Sequence, residues 1–362
     1  MEKLRLLLKI SSEMTKDRDI RKILTKLTSI TKQLLEADRC SIFLNDEKTQ
    51  ELWTIVADGV KEIRFPNDKG IAGEVFQTKW SLNIKNAYDY PKFNKEIDKK
   101  TGYYTKNILA VPLVNHLGDT IGVFQVINKL TADTFTKSDF ELLDHLAMYA
   151  ASNIENVILY EKLRKAQEDV IYKLSHATAY KDPETKNHII RVGLYSAVIA
   201  KALGWRDDKV ELIKLAAPMH DIGKVGIPDK ILNKPDKLTD DEFEIMKKHT
   251  EYGYDILHGG DSELSKLAAI ISLEHHEKWD GSGYPNHKKA KEISLEARIT
   301  TVSDVFDALT SERPYKKAWS IEDTMKELQR TAGSHFDPEI VKLFERNIDK
   351  ILEIKKEYYD EH

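Results

Sequence analysis

The sequence predicts two domains of different class: a mixed α+β domain with an antiparallel sheet, followed by an all-helical domain. The chain has 362 residues, more than one hydrophobic core normally fills. β-type segments occur in the first 130 residues, whereas no series of strands is visible after about residue 165. Ten of the twelve histidines lie from His176 onward. We therefore expect the chemistry of the protein in its second domain.

The first domain is predicted as a helix, a strand hairpin, a short helix, a long connection and a second hairpin. Apolar residues recur at helical spacing within residues 2–36, and a turn at 117–119 separates the last two strands. The polar stretch that ends at Thr105 is the expected loop over a ligand pocket. The strands are expected at 40–44, 51–57, 109–114 and 120–128.

Three segments of the first domain carry a family pattern. Gly-Ile-Ala-Gly-Glu-Val occupies 70–75, Ala-Val-Pro-Leu occupies 110–113, and Gly-Val-Phe-Gln-Val-Ile-Asn-Lys occupies 122–129. In this order, after a helix and a hairpin, they resemble a GAF domain over roughly residues 15–155. The resemblance implies a sensor domain, assigned to residues 1–150, that binds an unknown small ligand or serves as a dimerisation module.

Asn128-Lys129, Phe135 and Asp139 also resemble part of the signature of cyclic-nucleotide-binding GAF domains. Phe140 stands where that signature has glutamate, which argues against cyclic-nucleotide binding. We therefore favour an interpretation in which Asn128 caps a strand end and the two phenylalanines belong to the core.

A long helix is predicted from Asp139 to about Leu174, because this segment is almost free of glycine and proline. Residues 151–172 form the predicted linker between the domains. Apolar residues here approximate alternating spacings of four and three, which favours a parallel coiled-coil homodimer with Asn153 fixing the register. The alternative is that this stripe packs on the chain's own domains. The stripe consists of Leu143, Leu146, Ala150, Asn153, Val157, Tyr160, Gln167, Ile171 and Leu174.

The second domain, residues 173–362, contains five separate features with histidines or carboxylates. Each feature alone is weak, since a single histidine is usually structural, but their joint occurrence suggests one cluster. Five imidazoles with carboxylates and no thiolate favour a divalent ion such as Fe, Mn, Co or Ni over a structural zinc. Eight side chains are too many for one octahedral ion. They are Glu184, His188, His220, Asp221, His249, His275, His276 and Asp304.

Two long motifs carry a second resemblance. His-Asp-Ile-Gly-Lys at 220–224 is followed by His-His-Glu-Lys-Trp-Asp-Gly-Ser-Gly-Tyr-Pro at 275–285, and the run 303–316 fits the same pattern. Over about residues 168–345 the chain is similar to the HD-GYP family, cyclic di-GMP phosphodiesterases within the HD phosphohydrolases. It departs from the family at 286–288, where Asn-His-Lys replaces the usual Gly-Leu, so the loop shape near the substrate is left open.

The resemblance implies that the candidate side chains bind two or three divalent ions, expected to be iron or else manganese, bridged by carboxylate and by water or hydroxide. Family members that have a carboxylate at the position of Glu184 bind a third ion, so the resemblance implies a third ion here. Asp221 and Lys224 are the predicted catalytic residues, the first as a bridging ligand and the second as an electrostatic or proton-donating partner. Asp307 is expected to orient Arg313 or a ligating histidine. The predicted substrate-binding residues are Tyr284, Arg313 and Lys316.

The expected function is hydrolysis of the bacterial second messenger cyclic di-GMP to pGpG, GMP or both, regulated by the GAF domain. A second hypothesis makes the protein a cyclic di-GMP-binding or redox-sensing module whose metal cluster is intact but whose hydrolysis is weak. A third keeps the enzyme and changes the substrate to another nucleotide, since HD phosphohydrolases are diverse. The Gly-Tyr-Pro segment at 283–285 disfavours this third hypothesis.

Composition excludes other classes of function. A net charge of -4 and a pI of about 6.3 provide no basic field for DNA. Apolar runs such as 121–127 are far too short to span a bilayer, and the N-terminus lacks a signal-peptide pattern, so we expect a cytoplasmic protein without membrane insertion. Cys40 is the only cysteine. It can form no internal disulfide and is expected to be a small buried hydrophobe.

Overall fold

The fold was analysed in a computed structural model, which describes residues 20–54, 63–179, 185–312 and 317–360. The chain divides into two compact units, Met1–Leu163 and Arg164–His362. Each unit has its own buried apolar core, and each is described by itself.

The N-terminal unit is a six-stranded antiparallel sheet with helices on both faces, as the sequence predicts. The strand order is β3-β2-β1-β6-β5-β4. The short strands β3 and β4 were not expected, because three or four residues are too few to show alternation. In chain order the elements are α1 (Ile20–Leu34), β1 (Ala37–Asp46), β2 (Glu51–Thr54), β3 (Ile63–Pro66), α2 (Gly70–Thr78), β4 (Leu82–Ile84), α3 (Lys95–Thr101), β5 (Ile108–Val114), β6 (Thr120–Lys129) and α4 (Lys137–Ala179).

Strand β5 is apolar throughout instead of alternating. Leu109 and Val111 point into a core shared with α1 and α4, whereas Ile108 and Ala110 point into a second core shared with α2. Because successive side chains face opposite sides of the sheet, a strand covered on both faces needs apolar residues at every position. Cys40 is buried in the first of these cores, as expected.

A cavity of about 150 Å³ lies beside the second core of this unit. Its lining includes Asp98, Tyr103 and Thr105, which belong to the stretch predicted to cover a pocket. That stretch also contains β4 and α3 and is therefore more ordered than a plain loop. Arg39 lies 3.7 Å from the centre of the Tyr103 ring, so a cation–π contact forms part of the wall.

The interpretation of Asn128 and its neighbours is confirmed. Asn128 has a positive φ of 58° at the end of β6. Its side chain accepts a hydrogen bond from the Lys106 backbone at 2.7 Å and donates one to the Tyr104 carbonyl at 2.9 Å. Phe135 is buried in the core, and Phe140 packs against the same cluster.

Helix α4 is present as predicted, but the predicted coiled-coil stripe on it is wrong. Leu143, Leu146 and Ala150 are fully buried in the core of the N-terminal unit, and Ile171 is buried in the core of the C-terminal unit. A four-three spacing also describes the inner face of an amphipathic helix, so the sequence could not separate the two alternatives. The exposed apolar residues of α4 are Met148, Leu159, Tyr160, Leu163, Val170 and Leu174.

The C-terminal unit is helical over the part of the chain that the structure describes, as predicted. Short 3₁₀ turns at Ala217–Met219, Ile222–Gly226 and Ala290–Glu292 connect some of its helices. Among the described helices of the whole chain, none is long and apolar enough to cross a bilayer. The helices of this unit after α4 are α5 (Lys186–Ala202), α6 (Asp207–Ala216), α7 (Asp229–Leu232), α8 (Asp240–Lys247), α9 (His249–Leu257), α10 (Glu263–Glu274), α11 (Leu295–Thr310), α12 (Ile321–Arg330), α13 (Pro338–Arg346) and α14 (Ile348–Glu357).

Two glycines allow the turn after Asp221 to approach α9 and α10. A Cβ on Gly223 would lie 1.9 Å from the His249 carbonyl oxygen, and one on Gly253 would lie 2.0 Å from Ser272 Oγ. Ser272 Oγ in turn donates a hydrogen bond of 2.7 Å to the His220 carbonyl. Backbone contact this close is open only to glycine, and it brings the His-Asp pair next to the histidines of the neighbouring helices.

Candidate metal centre

Seven of the eight candidate ligands converge in the C-terminal unit, although they come from five places in the chain. Their side chains form two groups, and within each group the ligand atoms lie within 4.8 Å of one another. Glu184, the eighth candidate, lies outside the described residues. One group is Asp221, His249, His275 and His276, and the other is His188, His220 and Asp304.

Local structure sets the position of each ligand. His188 lies in the first turn of α5, where Thr185 caps the helix, and Asp304 lies on α11. His220 and Asp221 occupy the link between two 3₁₀ turns. The remaining ligands lie at the start of α9 (His249) and directly after α10 (His275 and His276).

Asp221 lies between the two groups and faces both. Its Oδ1 is 3.3 Å from His249 Nε2 and 3.5 Å from His275 Nε2. Its Oδ2 is 3.2 Å from His220 Nε2. Asp221 Oδ1 is buried and accepts no hydrogen bond from the described residues. A buried carboxylate oxygen of this kind is costly unless it has a cationic partner, so the geometry fits a carboxylate that bridges two cations.

The imidazoles are oriented through their Nδ1 atoms. His220, His249 and His275 each place Nδ1 within 2.9 Å of a backbone carbonyl oxygen. His188 Nδ1 lies 2.9 Å from a carboxylate oxygen of Asp307. When Nδ1 donates to these oxygens, Nε2 carries the lone pair and points towards the other ligands, which is the usual arrangement of metal-binding histidines.

The protonation states also suit a cation site. Burial lowers the pKa of His249 to about 4, despite the nearby Asp221. Burial also lowers the pKa of His276 well below its ordinary value. Burial alone would raise the pKa of Asp221, but Lys224 and His220 outweigh it and hold that pKa well below the usual range. A neutral His249 and a neutral His276 beside an ionised Asp221 are the forms in which these side chains bind metals.

A buried ion pair supports His188, and one of its members was not predicted. Asp307 accepts hydrogen bonds from Arg191 Nε at 2.6 Å and Arg191 Nη2 at 2.8 Å while its Oδ2 also faces His188. Both charged side chains are almost completely buried. Burial alone would raise the pKa of Asp307, but His188 and Arg191 lower it. Asp307 thus orients a candidate ligand histidine, one of the two roles expected for it.

A sequence signal for Arg191 existed. Arg191 is three residues after His188, and Asp307 is three residues after Asp304. Residues at this spacing share one face of a helix, so Arg191 lies on the same face of α5 as His188, and Asp307 lies on the same face of α11 as Asp304.

The other predicted residues are placed as follows. Lys224 Nζ lies 2.7 Å from Asp221 Oδ2, at the edge of the centre. The ring of Tyr284 lies 4.9 Å from the ring of His276, so the Gly-Tyr-Pro loop reaches the ligands. Arg313 and Lys316 lie outside the described residues.

Glu277 holds the loop that follows Tyr284. Its carboxylate is buried and accepts hydrogen bonds from the backbone N–H groups of Asn286 at 2.7 Å and Lys288 at 3.1 Å. The Asn-His-Lys segment that departs from the family pattern is therefore anchored through its backbone.

Comparisons with known proteins match both units. A GAF domain family model matches residues 19–154, and an HD domain family model matches residues 173–340. The chain is 39% identical over 237 residues to the 3'3'-cGAMP-specific phosphodiesterase 2 of Vibrio cholerae, covering 66% of this chain and 45% of that protein. It is 44% identical over 193 residues to a cyclic di-GMP phosphodiesterase of Thermotoga maritima, covering 53% of this chain and 52% of that protein.

A third relative is the cyclic di-GMP phosphodiesterase response regulator RpfG of Xanthomonas campestris. Identity is 41% over 180 residues, covering 50% of this chain and 48% of that protein. The chain thus spans about half the length of the curated relatives it matches. The predicted order of a GAF domain followed by an HD domain is confirmed.

Proposed function

The chain joins a GAF domain to an HD domain, and we propose that the HD domain is a metal-dependent phosphodiesterase that hydrolyses cyclic di-GMP to pGpG, GMP or both. The observation that carries this proposal is Asp221, whose two oxygens face two groups of histidines. The named activities of the similar proteins from Thermotoga maritima and Xanthomonas campestris supply the substrate class.

The donor set fits divalent cations. Five imidazoles and two carboxylates, with no thiolate, suit iron or manganese, and Asp221 Oδ1 is a buried oxygen in need of a cationic partner. Each group would hold one ion, Asp221 would serve both groups, and Glu184 would hold a third ion. When bound, such ions supply Lewis-acid chemistry, in that they polarise phosphoryl oxygens and acidify water.

The chain's own residues would bind and orient the diester. Lys224 holds a positive charge 2.7 Å from the bridging carboxylate, where it would attract a phosphoryl oxygen or give a proton to the leaving oxygen. Tyr284 would contact the substrate beside His276. Arg313 and Lys316 are proposed to hold the second phosphate, since arginine binds phosphate through two parallel hydrogen bonds.

Lys224→Met is expected to lower kcat by about 100-fold or more while leaving the metal content unchanged, since one well-placed electrostatic group is worth about 10²–10³ in rate. Lys230→Met, at an exposed position on α7, serves as the control. Steady-state kinetics and metal analysis on the same samples check this. If kcat and metal content fell together, Lys224 would act through Asp221 and not on the substrate.

Two alternatives are decided by substrate assays. One similar protein is named for specificity towards 3'3'-cGAMP, so this dinucleotide is the competing substrate, and kcat/KM for the two separates the assignments. The second alternative is a cyclic di-GMP-binding or redox-sensing module. A metal-replete, reduced protein that binds cyclic di-GMP without turnover would favour it.

We further propose that the GAF domain controls this activity through a small ligand in its cavity and that the chain forms a homodimer through α4. Met148, Leu159 and Val170 recur every 11 residues and are all exposed, as are Leu163 and Leu174. An 11-residue repeat places these residues along one face of a helix and is typical of helices that pair with a right-handed supercoil. A second copy of α4 has the same repeat, and it is therefore the matching partner.

The double variant Leu159→Lys, Leu163→Lys is expected to be monomeric at micromolar concentration, where the natural protein is a dimer. Each buried leucine contributes about 1.5–3 kcal/mol, so the dissociation constant should rise by more than about 100-fold. Sedimentation velocity measures this. Leu130→Lys, an equally exposed leucine outside α4, should leave the dimer intact, and a monomeric natural protein would refute the interface.

A further inference from the structure

An aromatic wall with a cation over it extends outward from the metal centre. The wall consists of Tyr284 together with Phe243 and Lys247 on α8, and the proposed mechanism does not use Phe243 or Lys247. We propose that Phe243 and Lys247 form the platform on which a purine base of the cyclic dinucleotide stacks, and that they select nucleotide diesters over simple ones. This inference rests on the proposed function and adds to it the part that recognises the base.

The wall begins at the ligands. The ring of Tyr284 lies 4.9 Å from the ring of His276 at an interplanar angle of 31°, and 6.4 Å from the ring of His249. The ring of Phe243 lies 6.2 Å from that of Tyr284 at 82°, edge to face. The three aromatic positions His276, Tyr284 and Phe243 therefore follow one another from the centre towards solvent.

Phe243 is not a core residue. It is 44% exposed, and α8 has no buried residue at all. A single exposed phenylalanine is ordinary on a protein surface. This one differs because it contacts a ring that contacts a candidate metal ligand, so its exposed area lies where the rest of a bound nucleotide would extend.

Lys247 places a positive charge over both rings. Its Nζ lies 5.0 Å from the centre of the Phe243 ring and 5.7 Å from that of Tyr284. Lys247 also forms a 2.6 Å ion pair with Glu244; the side chain of Glu244 is 68% exposed and that of Lys247 26%. Since an ion pair with one solvent-exposed partner contributes little, a ligand can compete with Glu244 for the ammonium group.

The chemistry of this wall fits a purine. Every base can stack on an aromatic ring, and guanine presents its O6 and N7 as acceptors to a lysine. A cyclic dinucleotide with one phosphate at the metal centre carries its bases one sugar away from that phosphate, and the ring of Phe243 lies one ring beyond Tyr284, which is next to His276. A simple aryl diester carries its rings directly on the phosphate, with no sugar to extend them towards Phe243, and it has no purine N7 or O6 for Lys247.

The test compares two substrates, cyclic di-GMP and bis(p-nitrophenyl) phosphate, a diester without bases. Phe243→Ala is expected to raise KM for cyclic di-GMP about 5- to 100-fold, the range that one base stack accounts for, and to leave kcat/KM for the aryl diester unchanged. Lys247→Gln should raise KM for cyclic di-GMP in the same way. Phe243→Trp should restore a low KM.

Ile256→Ala, at a similarly exposed apolar position on α9, is the control and should change neither substrate. An unchanged KM for cyclic di-GMP in Phe243→Ala, or an equal loss with both substrates, would overturn the inference. If the natural protein hydrolyses only the aryl diester, the proposed substrate is wrong, and calorimetric titration of the metal-loaded protein with cyclic di-GMP decides the platform by itself. Weaker binding of cyclic di-GMP by Phe243→Ala than by the natural protein would then support the platform. Equal binding by the two proteins, or no binding by the natural protein, would reject it.

Discussion

Asp221→Asn is expected to lose most of the bound metal and to lower cyclic di-GMP turnover by about 1,000-fold or more. The carboxylate faces both groups of histidines, so its loss weakens both ion sites together. Lewis-acid stabilisation is worth several kcal/mol, and about 4 kcal/mol corresponds to about 1,000-fold in rate. Metal analysis and initial rates on the same preparation measure the effect.

Asp255→Asn is the matched control, because Asp255 is an exposed aspartate on α9 with a histidine neighbour. It should keep its metal and its activity. An Asp221→Asn protein that retained both ions and full turnover would show that Asp221 does not bridge. Loss of only one ion would mean that Asp221 binds a single group.

Asp307→Ala is expected to lower the free energy of unfolding by about 3–5 kcal/mol and the metal affinity by about 10- to 100-fold. The buried Arg191 loses two charge-assisted hydrogen bonds to Asp307. Asp360, whose side chain is partly exposed, still pairs with Arg191 Nη1 at 2.9 Å. His188 loses the oxygen that orients its Nδ1, and loss of such a supporting partner has the stated effect on metal binding.

Urea unfolding and metal titration measure the two effects of Asp307→Ala separately. Asp323→Ala, an exposed aspartate at the start of α12, is the control and should change stability far less. Unchanged stability would mean that the Arg191–Asp307 pair contributes nothing to the fold. Unchanged metal affinity together with lost stability would assign the pair a structural role only.

The candidate ligands could be selected from sequence because they lie in short motifs, and the structure brings seven of the eight together. His220 and Asp221 are adjacent, His275 and His276 are adjacent, and the order of the motifs matches a family pattern. Arg191 was missed because its partner Asp307 is 116 residues away in the chain, and the two meet only when α5 packs on α11.

The error on α4 has a similar cause. Leu143 and Leu146 have the spacing of a coiled-coil seam, but the sheet of the N-terminal unit covers them, and periodicity does not identify what covers a face. Phe243 and Lys247 were overlooked because no periodic pattern of buried residues marks their helix. They belong to a helix without buried residues, and only the position of Tyr284 gives them significance.

The most direct test of the account is to count metal ions per chain in anaerobically purified protein and to measure cyclic di-GMP turnover on the same sample. The two ligand groups predict about two ions, and about three if Glu184 also binds. They also predict turnover that a chelator abolishes and added iron or manganese restores. A full complement of ions without turnover under reducing conditions would contradict the enzyme assignment and favour the sensor or binding module.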